Sequence, residues 1–143
     1  MSAQEAEQLT RLWHFGQLIG NSDMHDGNLS FQLSTAPSGS DGTGQGGPQV
    51  SAQRDVARLS PRLRLAPVYD MLPIRYAPVQ GMELLTSNIT PRLPLPGEQA
   101  AWQDAARAAR VFWRAAAEDP RISVGFRQVC MGNAGMLAGA QAV

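Results

Sequence analysis

The chain has 143 residues, the usual size of one domain, and its twelve acidic and twelve basic residues give no net charge. No overall field therefore draws it to nucleic acid or to an anionic membrane, and we expect no direct nucleic-acid binding. The single cysteine, Cys130, excludes an internal disulfide and is expected to be a small buried apolar residue. The N-terminus lacks signal-peptide character, and no stretch reaches the roughly 18 apolar residues of a membrane span. We expect a soluble, cytoplasmic protein.

The first part of the chain, residues 1–33, predicts a helix, a polar loop and a strand. Apolar residues between about Ala3 and Ile19 recur at spacings of three and four, which is typical of an amphipathic helix. The segment from Asn21 to Asn28 is dense in Asn, Asp, Ser and Gly, which favour a structured loop. Leu29–Leu33 then alternates apolar and polar residues as a short strand does.

A low-complexity segment separates this strand from the next one. Residues 34–62 are rich in Gly, Ser and Pro and cannot assemble a core, so they predict a flexible insertion. A second strand, Leu63–Val68, follows it. We therefore expect a two-stranded hairpin with the insertion at its tip. Residues 63–72 would then bring Tyr69 and Asp70 back towards the polar loop.

The last part of the chain predicts a connector and a helical tail. Residues 73–97 are rich in proline and show little periodicity, which predicts an irregular connector with at most a short helical turn. Within the tail, residues 98–143, a helix is predicted from about Glu98 to Ala117. Its apolar stripe consists of Ala101, Trp102, Ala105, Ala109, Phe112 and Trp113. We expect its three aromatic residues, together with Trp13 of the first helix, to lie in the core.

A final helix is predicted from about Pro120, with the proline in its first turn and Asp119 as the candidate N-cap. The glycines between Gly132 and Gly139 are expected to weaken this helix. Together the elements predict a mainly α fold with a small β-hairpin.

The polar loop holds two residues at a spacing with a chemical meaning. Asp23 and Asn28 reproduce the Asp-x-x-x-x-Asn spacing of the kinase catalytic loop, in which an acid meets the reacting hydroxyl and an amide oxygen holds magnesium. The pair alone is weak evidence, because Asp and Asn are common in loops. A second acid, Asp70, follows the hairpin, and this order of helix, loop, hairpin and acid is the kinase order. Asp23 could instead cap a turn, Asn28 could start the strand and Asp70 could end one.

Two motifs carry a resemblance to a known family. The string IGNSDMHDGN, from Ile19 to Asn28, resembles the IGN-x-D-x-H-x-x-N loop of HipA-like serine/threonine kinases, the toxins of HipA–HipB-type toxin–antitoxin pairs. The string LAPVYD, from Leu65 to Asp70, resembles the LAP-x-YD segment that replaces the DFG motif in that family. The resemblance covers Leu9 to about Leu72 well and the helical tail only loosely.

The resemblance implies a role for each matching residue. Asp23 would be the catalytic base, and Asn28 and Asp70 would bind the cofactor Mg-ATP as magnesium ligands. His25 also matches a family position, where it would brace the loop, although an ordinary exposed loop histidine is an equal alternative. Asp26 is interpreted as a solvated charge, and Tyr69 as packing behind Asp70. The implied fold is the C-terminal lobe of a protein kinase.

The departures from the family are as informative as the match. A complete kinase also needs an N-terminal lobe with a phosphate-covering loop and a lysine that engages ATP. All twelve basic residues of this chain are arginines, and arginine does not readily replace a compact ammonium group. The glycine-rich stretch from Gly39 to Gly47 follows the catalytic loop, which is the wrong order for a nucleotide loop. We therefore expect half of a kinase site, nearly inactive alone.

Other interpretations of the same residues remain open. The chain could be a non-catalytic interaction module or remnant that binds a missing N-terminal lobe or an antitoxin-like protein. It could also hold a small metal site built from Asp23, His25 and Asp26, although neighbouring loop residues rarely enclose a metal. No motif in the sequence identifies the substrate protein or the antitoxin.

Overall fold

The computed structural model describes residues 3–25, 29–34 and 62–142. Within these residues the fold is mainly helical with one small antiparallel sheet, as the sequence predicts. The helices are α1, Ala3–Leu18; α2, Gln99–Glu118; and α3, Val124–Gln141. The strands are β1, Phe31–Ser34, and β2, Arg62–Leu65, and a 3₁₀ turn spans Ile74–Tyr76.

Helix α2 lies at the centre of the fold and packs against both α1 and α3. Its sequence places small and aromatic residues on one face, and the predicted stripe is buried except for Phe112, which is only partly buried. The indole Nε1 of Trp113 donates to the carbonyl of Leu18 at 3.0 Å, and that of Trp102 donates to the carbonyl of Arg92 at 2.8 Å. The two tryptophans therefore join α2 to the end of α1 and to the connector.

The hairpin is confirmed, with shifted ends. Phe31 pairs with Leu65 and Ser34 with Arg62, so both ends of the predicted insertion belong to the strands. The pairing continues one step beyond the strands, because the amide of Ala66 donates to the carbonyl of Ser30 at 2.8 Å. The prediction that residues between these strands form a flexible insertion falls on 35–61, which lie outside the described residues.

Helix α3 corrects the predicted N-cap. Its N-cap is Ser123, whose Oγ accepts from the amide of Phe126 at 3.4 Å, whereas Asp119 follows α2 and its carboxylate bonds to Arg121. The helix also continues through the glycines to Gln141. At position 132 packing requires a glycine, since a Cβ there would collide with the side-chain amide of Asn88.

Buried polar contacts fix the proline-rich connector against α3. Asn133 is fully buried, and its Oδ1 accepts from the amide of Ile89 at 2.9 Å and from Nδ2 of Asn88 at 3.0 Å. Its Nδ2 donates to the hydroxyl of Tyr76 at 3.0 Å, and that hydroxyl donates to the carbonyl of Ser87 at 3.0 Å. A buried amide with partners for both of its groups holds an irregular segment in one conformation.

The core expectations are otherwise met, with one exception. Cys130 is a free cysteine that is fully buried beside α2, as expected. Trp13, however, is only partly buried, because the face of α1 that packs inward carries His14 and Leu18. His14 Nε2 lies 3.2 Å from Oε2 of Glu98, the N-cap residue of α2.

Candidate active site

The candidate site begins where α1 ends. Gly20 adopts a φ of +78°, a conformation that favours glycine because it has no Cβ. The amide of Gly20 donates to the carbonyl of Gln17 at 3.1 Å, and the amide of Asn21 donates to the carbonyl of Gly16 at 2.9 Å. These two bonds form a Schellman motif, which ends the helix and satisfies two of its last carbonyls. The chain leaves α1 with Asn21 in a fixed position.

Asn21 joins the two acidic residues that the sequence singles out. It is 6% exposed. Its Nδ2 donates to the backbone carbonyl of Asp70 at 2.8 Å, and its Oδ1 accepts from the amide of Asp23 at 3.2 Å. One buried side chain therefore connects the loop after α1 with the segment that follows the hairpin, 49 residues later.

Asp70 has an unusual backbone conformation. Its φ is +55°, the left-handed region in which non-glycine residues are uncommon and Asp and Asn are among the best tolerated. Its carbonyl accepts hydrogen bonds from Asn21 Nδ2 at 2.8 Å and from the amide of Leu72 at 3.0 Å. The two bonds hold the carbonyl in place and leave the carboxylate exposed.

The catalytic-base candidate is Asp23, whose backbone amide donates to Asn21. Asp23 is exposed, and the carboxylates of Asp23 and Asp70 form no ion pair with another residue of the described segments. The following residue, Met24, packs back onto α1 at Gly16, where a Cβ would collide with its sulfur. The glycine thus lets the loop approach the helix closely.

The remaining predicted residues have mixed outcomes. His25 is exposed and Tyr69 is 50% exposed, and the packing of Tyr69 behind Asp70 stays a prediction. Asn28, the other predicted magnesium ligand, and Asp26 lie outside the described residues. The metal-site alternative that includes Asp26 therefore stays a prediction. Among residues 3–25, 29–34 and 62–142, no three His, Cys, Asp or Glu side chains cluster as metal ligands would.

Asp70 offers a donor of the type that magnesium takes. Mg²⁺ is usually held by one or two carboxylates together with substrate phosphates and water. Asp70 supplies an exposed carboxylate at a position fixed by two hydrogen bonds to its own carbonyl. Magnesium prefers hard oxygen donors such as this carboxylate. None of the ion pairs in the described segments includes Asp70.

Sequence reasoning missed two residues that organise the site. Asn21 was recognised only as part of a motif, and its spacing to Asp70 is too long for any local pattern to reveal the contact. Arg75 donates its amide to the carbonyl of Gly20 at 2.9 Å and so fixes the connector against the end of α1. The pair Gly20 and Asn21 at the end of the predicted helix does indicate the turn, because glycine and asparagine commonly end helices.

Comparison with known proteins gives one relative. The chain is 38% identical over 126 residues to the protein named Toxin YjjJ from Escherichia coli (strain K12), and these residues are 88% of this chain and 23% of that protein. The chain thus spans less than a quarter of the length of that relative. No family model matches the chain, and no solved structure matches it. None of the helices in the described segments is long and apolar enough to cross a membrane.

Proposed function

We propose that this chain is the magnesium and phosphoryl-transfer part of a HipA-like serine/threonine kinase. The observation that carries the proposal is the link through Asn21, which bonds to the backbone of Asp23 on one side and of Asp70 on the other. A kinase needs its catalytic acid and its magnesium ligand in a fixed relation, although they come from distant parts of the chain. The name of the E. coli relative supports a toxin-like role within this proposal.

Each residue has a defined task in this proposal. The exposed carboxylate of Asp23 accepts the proton of a protein hydroxyl as that oxygen bonds to the γ-phosphorus of ATP, the bond to the bridging oxygen breaks and ADP leaves. Asp70 and Asn28 hold magnesium, which when bound neutralises the phosphate oxygens. Asn21 positions Asp23 and Asp70 through its hydrogen bonds to their backbones.

The isolated chain should nevertheless be a poor enzyme. Phosphoryl transfer depends on positioning and charge neutralisation, and the chain has no lysine to engage the ATP phosphates. We expect no measurable kinase activity from these 143 residues alone.

In a longer form that also carries the glycine-rich loop and the lysine, Asp23→Asn should lower the phosphorylation rate by roughly 10²–10⁴-fold.

Calorimetry of Mg-ATP binding tests the magnesium assignment directly. Asp70→Asn keeps the size of the side chain and the tolerance for a positive φ, and removes only the charge. We expect the variant to release clearly less heat than the wild type, while Asp104→Asn, the same change on the surface of α2, leaves the heat unchanged. Equal heats for wild type and Asp70→Asn would remove Asp70 from the role of ligand.

A second candidate function is an interaction module, and the surface of the connector favours it. Six large apolar side chains of the connector are 43–71% exposed: Val79, Met82, Leu84, Leu85, Leu93 and Leu95. Exposed apolar residues mark an interface where they lie together, and Met82, Leu84 and Leu85 are near neighbours in the sequence. The occupant that we propose is the kinase N-terminal lobe, because the relative has more than three quarters of its length outside the match.

Solution size tests the interaction module. The isolated chain should self-associate in light scattering, because its apolar connector is uncovered. Changing Met82 and Leu84 to serine should restore the monomer, whereas Val111→Ser, which changes a similarly exposed residue of α2, should not. A monomeric wild-type chain at high concentration would contradict this function.

A further inference from the structure

A cleft beside the loop that follows α1 plays no part in the proposed transfer reaction. Its volume is about 280 Å³, just below the roughly 300–1,000 Å³ of sites for drug-sized ligands, so it suits a small group. Its rim brings together two arginines, Arg75 and Arg92, from the connector. The other lining residues are Gln17, Gly20, Asn21, Ser22, Ile89 and Thr90.

Main-chain hydrogen bonds fix both arginines at this cleft. The amide of Arg75 donates to the carbonyl of Gly20 at 2.9 Å, and its guanidinium donates from Nη2 to Oγ of Ser87 at 3.0 Å. The carbonyl of Arg92 accepts from the indole of Trp102 at 2.8 Å. Two residues that are 17 positions apart in the connector therefore line one cleft.

The charge of the cleft is uncompensated within the described segments. The ion pairs there join His14 with Glu98, Arg107 with Asp104 and Arg121 with Asp119, and none includes an arginine of the cleft. No acidic residue lines the cleft, while the hydroxyls of Ser22 and Thr90 and the amide of Gln17 add neutral donors. Guanidinium groups with neutral donors nearby are the usual partners of phosphate oxygens.

We propose that this cleft binds a phosphate group, with Arg75 and Arg92 as the main ligands. The bound group contacts Ser22, the neighbour of Asp23, and so fixes the loop that carries the candidate base. This inference does not depend on kinase activity. A chain that fails to bind Mg-ATP at Asp70 would still bind a phosphate in this cleft.

Calorimetric titration of the full chain at constant ionic strength tests the proposal. The probes are inorganic phosphate, a short phosphoserine peptide and the same peptide without phosphate. We expect the phosphate-bearing probes to bind, and Arg92→Gln to weaken them about tenfold or more, since a hydrogen bond to a charged group is lost. Arg107→Gln, an equal charge change at an exposed position of α2, should leave the affinity within about twofold.

The comparison of probes separates the two sources of phosphate. Tighter binding of the phosphopeptide than of inorganic phosphate supports a protein-borne phosphate, whereas equal binding supports a site for the free anion. Amide NMR shifts of Gly20, Ser22 and Thr90 in the wild-type chain provide a readout that needs no variant. Absence of these shifts on adding phosphate, or equal affinity in wild type and Arg92→Gln, would overturn the proposal.

Discussion

The side-chain amide of Asn21 donates to the backbone carbonyl of Asp70, so that a residue at the end of the first helix fixes one that follows the hairpin. The bond is partly buried, and Asn21 itself is 6% exposed. Because the same side chain accepts from the amide of Asp23, its loss would uncouple both acidic residues at once.

Asn21→Asp is the sharpest test of this link. A carboxylate keeps the shape of the side chain and can still accept from the amide of Asp23, but it cannot donate to the carbonyl of Asp70. We expect the free energy of unfolding to fall by about 1–3 kcal/mol, because a partly buried hydrogen bond is lost and the Asp70 carbonyl faces a negative charge. Urea denaturation measures the change. Ser22→Ala, an exposed change one residue away, should cost less than about 0.5 kcal/mol.

Gly20 and Gly135 should respond in opposite directions to the same substitution. At Gly20 the φ is +78°, so Gly20→Ala should destabilise the chain by about 1–2 kcal/mol. Gly135 lies inside α3 with no atom within 4 Å of a new Cβ, and Gly135→Ala should stabilise by about 0.5–1 kcal/mol. Thermal or urea unfolding of both variants checks the signs. A Gly20→Ala chain as stable as the wild type would argue against the turn that ends α1.

The order of elements and the hairpin could be predicted from the sequence because both depend on local patterns. Periodicity located α1 and α2, and the alternation of residues located β1 and β2. The roles of Asn21 and Asn133 could not be predicted, because each is a buried amide that bonds to at least one residue 44 to 57 positions away. Asp119 was misassigned because an acid before a proline resembles an N-cap, whereas the arginine two residues later takes its carboxylate.

Asn133 should be the most sensitive polar position of the helical tail. Asn133→Ala removes the acceptor of the Ile89 amide and the donor to Tyr76, all of them buried. We expect a loss of about 1–3 kcal/mol, since buried groups are left without partners. Denaturation combined with hydrogen exchange at the Ile89 amide measures both the stability and the release of the connector. Gln128→Ala, at an exposed position of the same helix, is the matched control and should change stability by less than about 0.5 kcal/mol.

The turn between α2 and α3 predicts a dependence on acid. The Arg121 side chain, which donates to both carboxylate oxygens of Asp119, lowers the pKa of Asp119 from 3.8 to about 2, and the Arg121 amide adds a further bond. Because the pKa is lower in the folded chain, the pair stabilises the fold fully above pH 4. This contribution is lost as the pH falls through about 2.

Arg121→Gln should therefore raise the pKa of Asp119 towards 3.8, although the bond from the backbone amide of residue 121 remains. Carboxyl ¹³C NMR titration reads this pKa directly, at a site where the exposed arginine makes any change in stability small. Arg114→Gln removes the same charge from an exposed position of α2 and should leave the titration of Asp119 unchanged. If Asp119 titrates near 2 in the Arg121→Gln chain, the guanidinium is not the cause of its low pKa.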